Sequence, residues 1–341
     1  NSGRILYEKN ADEEKSIASI TKIMTAIIAI EHGDLEDRVS ISANAAGMEG
    51  SSVYLRAGEK MKLHHLLYGL MLCSGNDTAV AIAEHIGGSV PGFAMLMNEK
   101  ARYLGMTHTH FVNPHGLDDE EHYSSARDMA VLTAYALQND TFQEIVASKV
   151  AQVPNPSEKW DHKWYNKNKM LQMYAGADGV KTGYTSRAHR TLVSSATRGG
   201  QQPVTVTLNA SDDWNDSIAL LNYGFSRYKE RVIVEENETI DHPSMNDRDG
   251  QKLTIGPEYA FTYPLSEEEQ ATLHKQVNIA EELPSELTTG KRVGEISISL
   301  EDKPIGTVPL ITKSRQTGAD YSNVWQIWSE LISPVWSETA Q

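Results

Sequence analysis

Ser19 is followed three residues later by Lys22 inside the run SIASITKIMTA (16–26). On a helix, residues at i and i+3 share one face, so this hydroxyl and this amine meet. A serine hydroxyl becomes a competent nucleophile only when a neighbour takes its proton. An ordinary lysine cannot do that, because its ammonium keeps its own proton up to about pH 10.4. Burial among apolar side chains disfavours the charged form and lowers that value. The neighbours Ile20, Ile23 and Met24 provide such a setting. The pattern therefore points to a lysine base beside a serine nucleophile at a helix N-terminus, where free N–H groups and the positive dipole end favour negative charge. Alone it is a common pattern. S-x-x-K recurs at Ser226–Lys229, which reads as helix surface, and a serine at a helix start is ordinarily an N-cap.

Two further segments carry polar groups of the right kind. Ser74-Gly75-Asn76 sits at a tight break between two helical runs, LHHLLYGLML (63–72) and TAVAIAEHI (78–86). Lys181-Thr182-Gly183 precedes a strand-like run and is the single K-T-G in the chain, whereas S-x-N also occurs at 42–44 and 244–246. The elements that must position them follow from periodicity. Ile23, Ile27 and Ile30 mark an apolar helical face from Ser19 to His32, with Gly33 as the stop. Residues 4–7 (RILY) and 39–42 (VSIS) read as short strands. A helix is expected over 92–104, and another in SSARDMAVLTAYAL (124–137), where Ser125 and Asp128 resemble a capping box. TLVSSAT and VTVTLNA read as paired strands, and a last helix near 213–228 closes this half.

With 341 residues, 40% of them hydrophobic, the chain is long enough for two domains with a real core. A net charge of −15 argues against a nucleic-acid partner, which calls for a basic stripe. The single cysteine, Cys73, allows no intrachain disulfide. It reads as a small residue inert in catalysis, with sensitivity to thiol reagents as the point to test. Residue 1 is Asn, as expected of a mature form from which a leader has been removed. After about residue 235 acidic turns alternate with strand candidates (KLTI, YAFTY, EISISL, TVPLI), which reads as a small β-rich domain. In VWQIWSELISPVW (324–336) apolar residues recur at helical spacing, which suits an interfacial helix held by its tryptophans.

In order and context, S-x-x-K, S-x-N and K-T-G form the motif set of class A β-lactamases and penicillin-binding proteins. The segments SITKIMTA, LMLCSGNDTAVAIAEHIGG, FVNPHGLDDEEHYSSARDMA, NKNKML and GVKTGYTSRAHRTLVSSAT extend the likeness over most of residues 1–230. The chain resembles low-molecular-weight penicillin-binding proteins of the D-alanyl-D-alanine carboxypeptidase type, and within them the Bacillus-type, sporulation-associated enzyme. The resemblance implies an α+β fold: a transpeptidase-like domain with an antiparallel sheet flanked by helices (1–234), a smaller β-rich domain (235–313) and an amphipathic tail (314–341). It implies that Ser19 attacks the carbonyl of the penultimate D-alanine with Lys22 as base. Ser74 would relay a proton to the leaving amine, and Asn76 would hold the substrate amide and orient Lys22. Lys181 and Thr182, with Thr185 as a further candidate, would bind the terminal carboxylate, Gly183 and Tyr184 would belong to the same substrate-binding segment, and the N–H groups of Ser19 and Tyr184 would form the oxyanion hole. Lys167 would add positive field, as a point charge rather than a fork.

The implied partners are a peptidoglycan stem peptide ending in D-Ala-D-Ala, β-lactam antibiotics and, through the tail, a membrane surface. No cofactor or metal is implied, and the location is extracytoplasmic. Two alternatives remain open. One is a β-lactamase, for which the deacylating E-x-x-L-N element is missing between Asn76 and Lys181. The other is a penicillin-binding sensor without turnover, for which a signalling segment is missing. Lys163, Lys169, Arg187 and Arg190 read as surface charge. His108, His110, His115 and His122 lie among acids without metal-ligand spacing, and NPHGL reads as structural. His64 and His65 read as packing or solvent residues. GADGVKT lacks the glycine before lysine that a phosphate loop needs.

Overall fold

The computed structural model describes residues 2–155, 158–246, 252–280 and 288–314. The chain divides into two compact units between residues 230 and 231.

The first unit is built around one helix. A 3₁₀ turn, Ala18–Thr21, runs directly into α1, Lys22–His32. Every residue from Lys22 to Ala29 is buried, so α1 is a core helix covered on all sides rather than a helix with one apolar face. Gly33 ends it for a packing reason. A Cβ there would lie 2.4 Å from Leu63 Cδ2, while the Gly33 N–H bonds to Ala29 O at 3.0 Å. Around α1 pack α2 (Leu63–Leu72), α3 (Asn76–Gly87), α4 (Val90–Tyr103), α5 (Ala126–Ala136) and α6 (Asp140–Ala147). Ser125 Oγ caps α5 by accepting from Asp128 N–H at 3.1 Å. The Asp128 carboxylate does not complete a capping box. It accepts instead from His108 N–H and Thr109 Oγ1, which ties down the loop before the helix.

The S-x-x-K and S-x-N segments meet the K-T-G segment at a three-stranded antiparallel sheet of β1 (Ala177–Thr185), β2 (His189–Ala196) and β3 (Val204–Leu208), in that order. Register pairs Lys181 with Val193 and Tyr184 with Arg190. Both faces are covered. Val180 and Val193 enter the helical core, whereas Leu192 and Ala196 pack with Leu221 and Phe225 of α7 (Asp213–Arg227). The K-T-G segment is thus itself a strand, which its glycines and lysine hid from the sequence pattern. Residues 4–7, by contrast, form no strand, although RILY reads as one. Arg4 instead lies over the Tyr228 ring, 4.8 Å from its centroid.

The second unit is β-rich. Its five-stranded antiparallel sheet runs Leu273–Ile279, Arg292–Leu300, Lys303–Ser314, Lys252–Pro257, Ile240–Asn246. A two-stranded pair, Lys229–Val234 with Phe261–Leu265, accompanies it. Ile296, Ile298, Val308 and Leu310 form its core with Val234, Ile255 and Leu265. The tryptophan-rich segment 324–336 lies outside the described residues.

Candidate active site

Ser19 is the second residue of the 3₁₀ turn, and it caps nothing: the residue before the turn is Ile17, and no side chain caps the turn or α1. Its N–H is among those that a helix start leaves without an intrahelical partner. The backbone before it is strained, since Ala18 has φ +48°. Three contacts hold that conformation. Thr21 Oγ1 donates to Ala18 O at 2.8 Å, Thr191 Oγ1 donates to Ile17 O at 3.1 Å, and Gly116 packs onto the Ala18 carbonyl. A Cβ on Gly116 would come within 1.9 Å of Ala18 O, and its φ of +86° also favours glycine.

Lys22 is 0% exposed. Its Nζ lies 3.0 Å from Ser19 Oγ, 2.8 Å from Asn76 Oδ1 and 2.6 Å from His115 O. Burial first, then the charges of Lys181 and Lys167, hold its ammonium well below the ordinary 10.5, and Asp77 opposes them. A neutral amine has two hydrogens and one lone pair. Asn76 Oδ1 and His115 O can only accept, so they take the two hydrogens. The lone pair is then left facing the Ser19 hydroxyl, which is the arrangement a general base needs. Asn76 is itself oriented: its Nδ2 donates to Glu49 O at 2.7 Å, which turns Oδ1 toward Lys22.

The S-G-N segment links α2 to α3, with Asn76 as the first residue of α3. Ser74 has φ +64°, a second strained non-glycine next to a reactive hydroxyl. Its Oγ accepts from Lys181 Nζ at 3.1 Å, and the same amine donates to Thr182 O at 2.8 Å. Lys181 is 2% exposed, and burial, then the charge of Lys167, brings its pKa down to about 7. On β1, Gly183 allows the strand to approach Ser19: a Cβ there would lie 2.9 Å from Ser19 N and 2.4 Å from Thr191 Oγ1. Thr182 is half-buried beside it, and the Tyr184 side chain is 68% exposed. Thr185 Oγ1 donates to Asp118 Oδ1 at 2.7 Å and accepts from Ala188 N–H at 3.0 Å.

Lys167 is exposed with Nζ 3.5 Å from Ser51 Oγ, and its charge reaches both buried lysines. Lys163, Lys169 and Arg187 are exposed, while Arg190 pairs with the buried Asp213 at 3.3 Å. Cys73 is half-buried, and burial raises its thiol above the ordinary value. The rival motif copies serve other ends. Ser42 caps the helix Ala43–Ala46, residues 244–246 belong to the strand Ile240–Asn246, and Ser226 and Lys229 are exposed. His64 and His65 are half-buried at the start of α2.

Several residues beyond the motifs complete the site. NPHGL is more than structural, because His115 O holds Lys22 while Pro114 O accepts from Thr25 Oγ1 at 2.6 Å. Asn113 ties the turn by accepting from Gly116 N–H at 2.7 Å. His122 bonds to the turn that carries Ser19: its Nδ1 accepts from Val112 N–H at 3.2 Å, and its Nε2 meets Thr21 Oγ1 at 2.8 Å. Burial lowers the pKa of His122 to about 4 and that of His115 to about 3, so both are neutral imidazoles near pH 7. Asp77 is fully buried and accepts from Ser52 Oγ and from the N–H groups of Val53, Leu55 and Thr78, anchoring the loop that carries Glu49. NPHGL, His115 and His122 are marked in the sequence without these roles, whereas Asp77, beside the S-G-N motif, is not singled out. Among the described residues no three His, Cys, Asp or Glu side chains group to hold a metal ion.

Comparison with known proteins places this geometry in context. Residues 1–212 match the profile of a peptidase family described as D-alanyl-D-alanine carboxypeptidase, and residues 228–316 match the C-terminal domain of penicillin-binding protein 5. The chain is 31% identical over 334 residues to the D-alanyl-D-alanine carboxypeptidase DacF of Bacillus subtilis, covering 94% of this chain and 84% of that protein. It is 32% identical to DacA of Escherichia coli, covering 91% and 80%. Among solved structures, penicillin-binding protein 5 from Haemophilus influenzae superposes with a TM-score of 0.75 at 28% identity, over 92% of this chain and 94% of that one.

Proposed function

The chain belongs to the D-alanyl-D-alanine carboxypeptidase family, as a low-molecular-weight penicillin-binding protein, and we propose that its activity runs through an acyl-enzyme on Ser19. The observation that carries this is the buried Lys22, whose Nζ lies 3.0 Å from Ser19 Oγ while Asn76 Oδ1 and His115 O accept from it at 2.8 and 2.6 Å, so that in its neutral form the lone pair is left for Ser19. Lys22 takes the Ser19 proton as Oγ attacks the carbonyl of the penultimate D-alanine. The oxyanion forms against the N–H groups of Ser19 and Tyr184. Collapse breaks the peptide bond; Ser74 gives its proton to the leaving amine and regains one from the Lys22 ammonium, so the proton removed from Ser19 departs with the amine and Lys22 is neutral again. Free D-alanine departs. Water then hydrolyses the ester, giving the shortened peptide and restoring the Ser19 hydroxyl. Lys181 and Thr182 bind the terminal carboxylate, and Lys167 strengthens the positive field around it. A β-lactam acylates Ser19 by the same attack.

The assay is release of D-alanine from Nα,Nε-diacetyl-L-Lys-D-Ala-D-Ala. Turnover by the whole chain, lost in Ser19→Ala together with covalent penicillin labelling, supports the assignment. Stable labelling without D-alanine release points to a sensor, and rapid nitrocefin turnover points to a β-lactamase.

The proposed organisation is a catalytic domain (1–234), a β-rich domain (235–313) that holds it relative to a surface, and a tail (314–341) that binds a membrane interface through Trp325, Trp328 and Trp336, outside the cytoplasm. Among the described residues no single helix is long and apolar enough to cross a membrane. Liposome binding by the whole chain that is lost on removal of 318–341 supports the tail assignment; equal binding overturns it.

A further inference from the structure

We infer that Thr21 and His122 are positioning residues that aim the Ser19 N–H at the oxyanion of the acylation step. The inference rests on the Ser19 acyl-enzyme proposed above. The partners fix every proton in this chain of bonds. Ala18 O can only accept, so the single Thr21 hydroxyl proton goes to it, at 2.8 Å. His122 Nε2, 2.8 Å from the same Thr21 Oγ1, is then the donor. The Val112 N–H can only donate, so His122 Nδ1 accepts from it at 3.2 Å. The ring therefore carries one proton, on Nε2. An imidazolium would set an Nδ1 proton against the Val112 N–H, two donors face to face. Thr21 is 0% exposed and His122 is 3% exposed, so bulk water does not compete for these bonds.

The chain of bonds ends on a peptide plane. In a trans peptide the C=O and the following N–H point in opposite directions. Holding Ala18 O on one side therefore aims the Ser19 N–H to the other. The glycines mark the two sides. A Cβ on Gly116 would lie 1.9 Å from Ala18 O, and a Cβ on Gly183 of β1 would lie 2.9 Å from Ser19 N. Ser19 N thus lies against β1 beside Gly183, whose next residue is Tyr184, the other donor of the proposed oxyanion hole. The plane needs a hold from outside because Ala18, at φ +48°, occupies a conformation that persists only when its surroundings impose it. The hold comes from a closed loop. His110 and Tyr123 exchange backbone hydrogen bonds at 3.0 Å each, and the segment between them presents His115 O to Lys22 and His122 to Thr21. One loop thereby sets both the base and the oxyanion donor.

The test separates transition-state from ground-state effects in the whole chain. A fluorescent penicillin gives the limiting acylation rate and the half-saturating concentration. Affinity for Nα,Nε-diacetyl-L-Lys-D-boroalanine, whose boron replaces the scissile carbonyl carbon, reads the tetrahedral adduct on Ser19. Thr21→Val should lower the limiting rate by about 10- to 100-fold, the scale set by misplacing a catalytic group. His122→Leu acts through Thr21 and should lower it by about 3- to 10-fold, the scale of one lost neutral hydrogen bond. Boronate affinity should weaken by similar factors, while half-saturation stays within about twofold, because an oxyanion donor acts in the transition state. Thr21→Ser keeps the hydroxyl and His122→Gln keeps the donor, so each should recover most of the lost rate and affinity. Values are taken per folded, penicillin-labelled molecule, so lost stability alone moves none of them. A folded Thr21→Val or His122→Leu with rate and boronate affinity unchanged, or with half-saturation shifted in their place, overturns the inference. If neither variant folds, the nitrogen-15 shifts of His122 in the unaltered protein at pH 7 decide: a proton on Nε2 supports the inference and a proton on Nδ1 overturns it. Failure of penicillin to label the unaltered protein overturns the proposed function instead.

Discussion

Lys22 and His122 show how much of this chemistry is set by burial of single groups. Because Lys22 is held well below 10.5, its base form is reached at a lower pH than that of a free lysine. The rate of acylation by a fluorescent penicillin should therefore rise with pH through a midpoint below 10.5. In Lys22→Ala that rate should fall by roughly 10²- to 10⁴-fold and lose its pH dependence, since general-base assistance is worth about that much. The two buried histidines act on stability. An unfolded histidine takes up its proton near 6.5, whereas folded His122 and His115 do so only at about 4 and about 3. Between those values the unfolded state binds more protons, so stability is full above pH 6.5 and falls as the pH drops toward 3. Each imidazole contributes roughly 3 to 5 kcal/mol to that loss. Thermal midpoints at pH 7 and pH 4 check the expected fall, which should be smaller in His122→Gln.

At the scale of elements, the site is a junction of α1, the α2–α3 break, the Asn113–Asp118 turn and β1. Two glycines let the pieces close: Gly183 brings β1 against Ser19, and Gly116 presses the turn onto the Ala18 carbonyl. Gly116→Ala would meet that carbonyl and demand a left-handed alanine. It should destabilise the protein by about 2 to 4 kcal/mol, and it should slow penicillin acylation more than the fraction of unfolded protein explains, because Ser19 is displaced. Comparing acylation with the thermal midpoint separates the two effects. Most helices were legible from sequence because their apolar periodicity follows from packing on one core, whereas the short α6 was not expected. The K-T-G strand was not, because its residues are chosen for the cleft rather than for the sheet.

At the scale of the whole molecule, Ser19, Lys22, Ser74, Asn76 and Lys181 all fall within one unit that has its own cores. Residues 1–230 expressed alone should therefore fold and release D-alanine with a kcat within about threefold of the whole chain, because no reacting group is removed. Circular dichroism together with the release assay checks this. A folded but inactive fragment would show that the second unit completes the site.

The sequence by itself determined the reactive groups and their family: a serine, a lysine among apolar neighbours, and two polar motifs in a telling order. It also placed most helices and the β-rich character of the second unit, since both follow from local patterns of burial. Only the tertiary structure decided that Asn76 Oδ1 and His115 O both meet the Lys22 amine beside Ser19 Oγ. Those partners lie 54 and 93 residues away in the chain. One of them is a backbone carbonyl, a group every residue carries and no sequence pattern can single out.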